Sequence, residues 1–325
     1  MLGRLHLMPK LSRIRTYINY LLRSLSKKIF HKKKQFTLSK KTLVVVSLGI
    51  FLGLFLAWFF LLRGDGAAAW YHDGWGYRKK LTIDHTKVSG DTNLTDFPLL
   101  ISLTSDTHLS SNAQADGDDI MFTDSIGNKL DHEIESYSSG TLIAWVRIPT
   151  LYGTQNTDLY MYYGNSSAAS QENATNVWDE NYQAVWHLEE SSNGSVAVTR
   201  GDSTSNGNTL SDQDTLASAT GKIGSSTVFD NATTDDLRIL TGNQSVNFPG
   251  KSGADLSDGY TFSTWAKFTH HTGGHTHNLA VHGMDVFHGF VTNNAYQGDF
   301  AGSIPTSASS VTSTTEWYYL TTTWN

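Results

Sequence analysis

The chain has 325 residues, 39% of them hydrophobic, no cysteine, and 24 Lys and Arg against 30 Asp and Glu. The missing cysteine excludes disulfide staples and thiolate metal sites, so stability has to come from cores large enough to stand alone. The net charge of −6 hides a division: thirteen Lys and Arg and no acid precede Gly64, and eleven bases and all thirty acids follow.

Residues 1–42 read as a basic cytoplasmic leader. Leu11, Ile14, Ile18, Leu21, Leu22, Leu25 and Ile29 recur at helical spacing, with Arg13, Arg15, Arg23, Lys27 and Lys28 mostly off that face. This suits a basic amphipathic helix on an anionic inner leaflet or against a partner; a solvated tail that only sets topology is the alternative. A basic run abutting an apolar span does not suit nucleic acid, and no nucleic-acid partner is expected.

Residues 43–62, LVVVSLGIFLGLFLAWFFLL, carry no charge. At about 1.5 Å per helical residue they span the roughly 30 Å of a bilayer core, which predicts a single transmembrane helix. Lys32, Lys33, Lys34, Lys40 and Lys41 crowd its N-terminal side and place that side in the cytoplasm and the rest outside, at the cell membrane. Ala67-Ala68-Ala69 has the small-x-small form of a signal-peptidase site, but the long apolar core and long leader favour an uncleaved signal anchor. Residues 63–74 read as a linker.

Beyond it the pattern is mainly β. Short alternating or aromatic-rich runs at Lys79 to Ile83, Pro98 to Leu103, Thr141 to Ile148, Asp158 to Tyr163, Ala184 to Leu188 and Tyr260 to Phe268 are separated by Gly, Asn, Asp and Ser clusters. No amphipathic helix is predicted between them. The expected architecture is two antiparallel β-sandwich, jelly-roll-like domains, residues 75–177 and 178–325.

In the first, YRKKLTIDHTKVSG (Tyr77 to Gly90), TDFPLLISL (Thr95 to Leu103), AQADGDDIMFTD (Ala113 to Asp124), KLDHEIESY (Lys129 to Tyr137), AWVRIP (Ala144 to Pro149) and LYMYYGN (Leu159 to Asn165) follow in order. The series resembles the bacterial domain-of-unknown-function family 2341. The resemblance implies an extracellular β-rich module attached to other surface domains. Ion conduction, ascribed to some relatives, has no support in a single apolar span without an intramembrane acid.

Two acidic segments of this domain could carry chemistry. On a strand from Asp131, Asp131, Glu133 and Glu135 project from one face and Leu130, His132 and Ile134 from the other. Carboxylates two apart stand about 6.5–7 Å from each other, a glycosidase-like separation, so Glu133 and Glu135 are the alternative catalytic pair. The Glu-Ile-Glu step resembles the catalytic strand of family 16 glycoside hydrolases but lacks its further Glu, and a solvated or cation-binding face is the other reading. Asp116, Asp118 and Asp119 around Gly117 offer hard oxygen ligands for Ca²⁺, or simply form a β-turn.

In the second domain, VWHLEE (Val185 to Glu190), DSTSNGN (Asp202 to Asn208), GKIGSSTVFDN (Gly221 to Asn231), LSDGYTFSTWAKF (Leu256 to Phe268) and WYYLTTTWN (Trp317 to Asn325) resemble the LamG-like, concanavalin A-like jelly-roll superfamily. That resemblance implies sugar-binding or adhesion modules, often with Ca²⁺, and further strands beyond Asn325, so a fragment is inferred. Asp202, Asn206 and Asn208, with Asp230, are further calcium candidates, or an Asn-Gly turn. His270, His271, His275, His277, His282 and His288 cluster within nineteen residues; on a hairpin His275 and His277 share a face and could bind a metal, though no His-Glu-x-x-His helix accompanies them.

Trp70, Tyr71, Trp75, Trp178, Trp186 and Trp265 suit a sugar partner where exposed, although Trp145, Trp186 and Trp265 are expected mostly in cores. The expected function is a membrane-anchored extracellular binding or adhesion protein of a prokaryote, recognising polysaccharide or a surface-protein ligand without catalysis. No organic cofactor is expected. An endo-acting glycoside hydrolase and a structural spacer are the alternatives.

Overall fold

The computed structural model describes residues 71, 74–190, 199–212, 215–229, 235–239, 242–249, 251, 259–269, 277–282, 287–292, 295–299 and 306–324. The predicted leader, the transmembrane helix at 43–62, the Ala67–Ala69 site and most of the linker lie outside the described residues. Among the described residues no helix is long and apolar enough to cross a membrane. They are mainly β, in antiparallel sheets with almost no helix.

Two sheets are built from the first half. One has the order β1 (Tyr77–Ile83), β7 (Thr157–Tyr163), β3 (Met121–Asp124), β4 (Lys129–Leu130). The other runs β2 (Leu94–Leu103), β6 (Thr141–Leu151), β5 (His132–Ser138). On β6 the alternation of the sequence is read directly: Leu142, Ala144, Val146 and Ile148 are buried, while Ile143, Trp145 and Arg147 occupy the opposite face. The buried set joins Ile101, Leu130, Phe122, Leu159 and Met161 in one core fed by both sheets. Each such aliphatic side chain contributes roughly 1.5–3 kcal/mol when fully withdrawn from water.

One helix, α1 (Thr107–Asn112), interrupts the strands. Asp106 caps it by accepting from the His108 and Leu109 N–H groups, and Leu109 plugs into the core. The sequence reading passes over it because six residues are too few to show a periodic apolar face.

Asp119 does most to shape the loops of this half. It is fully buried; one oxygen accepts the Gln114 N–H at 2.9 Å, and the other accepts the Gly164 and Asn165 N–H groups at 2.6 and 2.8 Å. Its own carbonyl accepts the Trp75 indole N–H at 2.7 Å, placing that ring against Met121 and Tyr162 on the outer face of the first sheet.

The second half begins with a departure from expectation. Ala184 to Leu188, predicted as a strand, is irregular. Its polar groups turn instead to the 202–208 loop: Val185 N–H donates to Asp202, Trp186 donates its indole N–H to the Asn208 carbonyl, and Leu188 adopts φ 58°. That left-handed residue ends any extended ladder.

The strands that follow are β8 (Thr199–Arg200), β9 (Leu210–Asp212), β10 (Ala217–Thr220), β11 (Ser225–Val228), β12 (Leu237–Arg238), β13 (Tyr260–Ala266), β14 (His277–His282), β15 (Phe287–Thr292), β16 (Ala295–Asp299), β17 (Thr306–Ser310) and β18 (Tyr318–Trp324). They assemble as β12-β9-β8, β10-β11, β13-β18 and β14-β15-β16-β17. Phe268, Tyr296, Val311 and Leu320 form a separate small core under β13 and β18. Arg200 on β8 is fully buried and grips Asp212 on β9 bidentately, at 3.0 and 2.8 Å.

Two stability changes follow. Asp119→Ala orphans three backbone donors and should cost at least roughly 3 kcal/mol in urea unfolding, with Asp119→Asn losing less because it keeps an acceptor; a loss under about 1 kcal/mol for alanine would refute the role. Asp212→Ala leaves a guanidinium buried without its carboxylate and should cost roughly 3–5 kcal/mol, part of it recovered when Arg200 is replaced by Met in the same chain.

Candidate functional site

The most concentrated chemistry lies where residues 178–190 and Ser203 cover the outer face of β5 and β6. His132 and Ile134 turn inward from β5, and Glu133 and Glu135 turn outward. The pairing register with β6 shifts between Ile134 and Ser136. Asp131 stays out of the cluster and accepts from the Asn173 amide at 2.9 Å.

His187 bridges the two glutamates, with Nε2 3.1 Å from Glu133 and Nδ1 3.3 Å from Glu135. Indoles close the ends: Trp178 donates to Glu133 at 3.0 Å, and Trp145 donates to Glu135 at 2.9 Å. The Ser203 hydroxyl donates to the other Glu133 oxygen at 2.5 Å. The imidazole also stands 6.0 Å from both indole rings, nearly parallel to that of Trp145. Two carboxylates and two aromatic faces around one ring are the surroundings that favour an imidazolium.

Gly224, at φ 52° in the turn between β10 and β11, completes the cover. A Cβ there would meet Glu135 Oε1 at 2.5 Å, so the turn can lie over the carboxylate only because the residue is glycine.

The ionisation follows from these contacts. Burial works against the His187 cation, but the hydrogen bond and charge of Glu133, with Glu135 and Glu189 beyond, outweigh it and raise its pKa. Burial likewise opposes the Glu133 anion, yet its bonds from His187, Ser203 and Trp178 hold its pKa below the usual value. Glu189, exposed on one side, is pushed up to about 7 by desolvation and by repulsion from Glu135. On the other face of β5, burial lowers His132 to about 4. It packs edge-on to Phe122 at 5.2 Å, and its nitrogens complete no hydrogen bond.

The cluster thus brings together the alternative catalytic pair, with both Glu133 oxygens and Glu135 Oε2 engaged by side chains of the same chain. His187, Trp145, Trp178 and Ser203 were not connected to it by sequence reasoning. The one available signal was the VWHLEE segment itself, which sets a histidine beside two acids.

The metal candidates are placed differently. Asp119 spends both oxygens on backbone N–H groups, and Asp116 accepts the Asp118 N–H at 3.2 Å in a local turn. Asp202 spends its oxygens on Val185, Thr204 and Asn208. The side-chain amides of Asn206 and Asn208 donate to the Gln183 carbonyl, and the Asn208 side-chain oxygen accepts the Ser245 N–H. Asp119 and Asp202 thus organise the loops through their backbone contacts. Among the described residues no group of three or more His, Asp or Glu could hold a metal. His270, His271, His275 and Asp230 lie outside the described residues; His277 opens β14, its side chain outside the description.

Beside the cluster an open cleft of about 510 Å³ is lined by Asp179, Glu180, Gln183, Asn206, Ser245 and Asn247 among others. Amides, hydroxyls and carboxylates share its walls with apolar surface that includes Val246.

Residues 116–237 match the family described as "Domain of unknown function (DUF2341)". The matched stretch contains Glu133, Glu135, Trp145, Trp178, His187 and Ser203, so it runs through the covered cluster and past Trp178. No curated protein and no solved structure matches the chain.

The charge state of the cluster sets a pH dependence. His187, raised above its ordinary 6.5, contributes fully below pH 6.5 and loses its contribution as pH rises through the folded value. Glu133, lowered from 4.5, contributes above pH 4.5 and loses it on acidification. Glu189, raised from 4.5 to about 7, opposes the fold increasingly across that interval. Calorimetry should therefore show the melting temperature falling from pH 6.5 towards 9, a fall reduced in His187→Gln. Glu189→Gln should gain over the parent between pH 4.5 and 7 and keep the gain above. Parallel curves for parent and His187→Gln would refute the assignment.

Proposed function

We propose that the chain is a membrane-anchored extracellular binding protein of a prokaryote that recognises polysaccharide, or another cell-surface ligand, without transforming it. Residues 43–62 serve as the anchor and the leader lies in the cytoplasm. The outer part is two β-sandwich modules, the first of the family-2341 kind and the second LamG-like. Binding rather than hydrolysis is supported by one observation above others: the Glu133 and Glu135 carboxylates are bridged by His187 and capped by Trp145, Trp178 and Ser203. A glycosidase needs one carboxyl free to protonate the leaving oxygen and the other free for water or sugar, and here both Glu133 oxygens and Glu135 Oε2 are engaged within the chain. The cleft beside the cluster gives the outer part a surface for a ligand instead.

A polysaccharide panel tests this with the full chain in mild detergent, with and without EDTA, following retained polymer and reducing ends together. Saturable binding with no increase in reducing ends is expected, and, because the Asp119 and Asp202 oxygens are already engaged, EDTA should leave it unchanged. An increase in reducing ends abolished by Glu133→Gln would overturn the reading in favour of the hydrolase. A folded chain that retains no polymer would leave the spacer.

A further inference from the structure

β13 and β18 present an exposed face whose composition differs from the rest of the outer part. Trp265 and Tyr319 stand directly opposite each other in the register, with ring centroids 5.1 Å apart and planes inclined by 46°. They remain 39% and 58% exposed, the more notable because Trp is usually among the best-buried residues. Their strand neighbours on the same side are hydroxyls: Thr261 and Ser263 on β13, Thr321 and Thr323 on β18, with the Thr261 and Thr323 hydroxyls 3.0 Å apart. The opposite side of the pair faces the core of Phe268, Tyr296, Val311 and Leu320. The aromatic side is therefore not the packing side.

Charge gives this face its character. Residues 64–325 carry eleven bases against thirty acids, and only four of those bases lie beyond Arg200. Arg238 pairs with Asp236, and Lys251 donates to the Gln244 carbonyl. The other two, Lys222 and Lys267, belong to the aromatic face. The Lys222 ammonium lies 5.4 Å from the Trp265 ring centroid. Lys267 is exposed two residues past Trp265, and because Ala266 and Phe268 pack inward it continues the outward row. Neither has a carboxylate partner among the described residues, and the row itself contains no acid.

We propose that this face binds an acidic polysaccharide of the uronic-acid class, an inference that rests on the polysaccharide reading above and names its site and ligand charge. Apolar faces of the pyranose rings pack on Trp265 and Tyr319, the Thr and Ser hydroxyls meet ring hydroxyls, and Lys222 and Lys267 receive carboxylates at the two sides. The charge complementarity is local: an anionic chain is repelled by the acidic remainder and directed, among the described residues, to a face where ammonium groups without a carboxylate partner flank exposed rings.

The test uses the full chain with polygalacturonate, its fully methyl-esterified form and dextran, by titration calorimetry at low and high salt. Polygalacturonate should bind saturably and weaken with salt. Trp265→Ala should weaken it roughly tenfold, and the Lys222→Gln, Lys267→Gln double variant by a similar factor, with the esterified polymer bound equally by parent and double variant. Near-ultraviolet circular dichroism checks folding, and Trp265→Phe, which keeps the ring, should retain most binding. Polygalacturonate binding unaffected by the lysine changes would overturn the acidic class while leaving polysaccharide recognition standing; binding unaffected by Trp265→Ala would overturn the site. No polymer bound by folded parent would sink the underlying reading as well. A dimer that dissociates on Trp265→Ala would assign the face to a second copy and overturn the proposal.

Discussion

The described part of this protein depends on an imidazole held between two carboxylates. Glu133 and Glu135 sit on a strand whose other side feeds the main core, and His187 arrives from the irregular segment that follows Trp178. Three groups that prefer water are brought together under cover, which is unfavourable unless each finds a partner. Both Glu133 oxygens and Glu135 Oε2 do so: from the imidazole, from an indole N–H or from the Ser203 hydroxyl. Directional contacts of this kind do not tolerate a shifted register, whereas an apolar patch would. The ion cluster therefore specifies where residues 178–190 dock on β5 and β6, beyond whatever stability it adds.

The same reasoning separates acids that organise backbone from acids that wait for a ligand. Asp119 and Asp202 were candidates for calcium because they lie in Gly-rich, Asp-rich or Asn-rich turns. In both, the carboxylate stands in for the cation's partner in reverse, collecting backbone N–H groups from two distant stretches of chain. A sequence displays the acid and the turn but not the donors: Gly164 lies forty-five residues from Asp119, and Val185 seventeen from Asp202. Spacing alone could not decide between the two tasks.

Legibility followed locality. The class of the fold, the faces of β6 and the inward turn of His132 and Ile134 could be read because alternation is a property of neighbouring residues. Helix α1 escaped because one capped turn leaves no period. Ala184 to Leu188 was misread because an apolar, aromatic run satisfies the pattern of a strand, while the loop at 202–208 that captures its polar groups lies farther along the chain. Trp145 and Trp265 both sit on strands, as expected, yet one is half-covered as a hydrogen-bond donor and the other faces solvent. Which face of a strand is covered is a tertiary fact.

The turn between β10 and β11 ties these surfaces together. Gly224 lies against Glu135, and two residues earlier Lys222 reaches over Trp265. Gly221 donates its N–H to the Gly224 carbonyl at 3.0 Å, so the four-residue turn is closed on itself. A closed turn has little freedom to move one end without the other. Lys222 is thus carried by the same turn that covers the carboxylate cluster, so the face proposed on β13 and β18 shares a structural element with the docking site of His187.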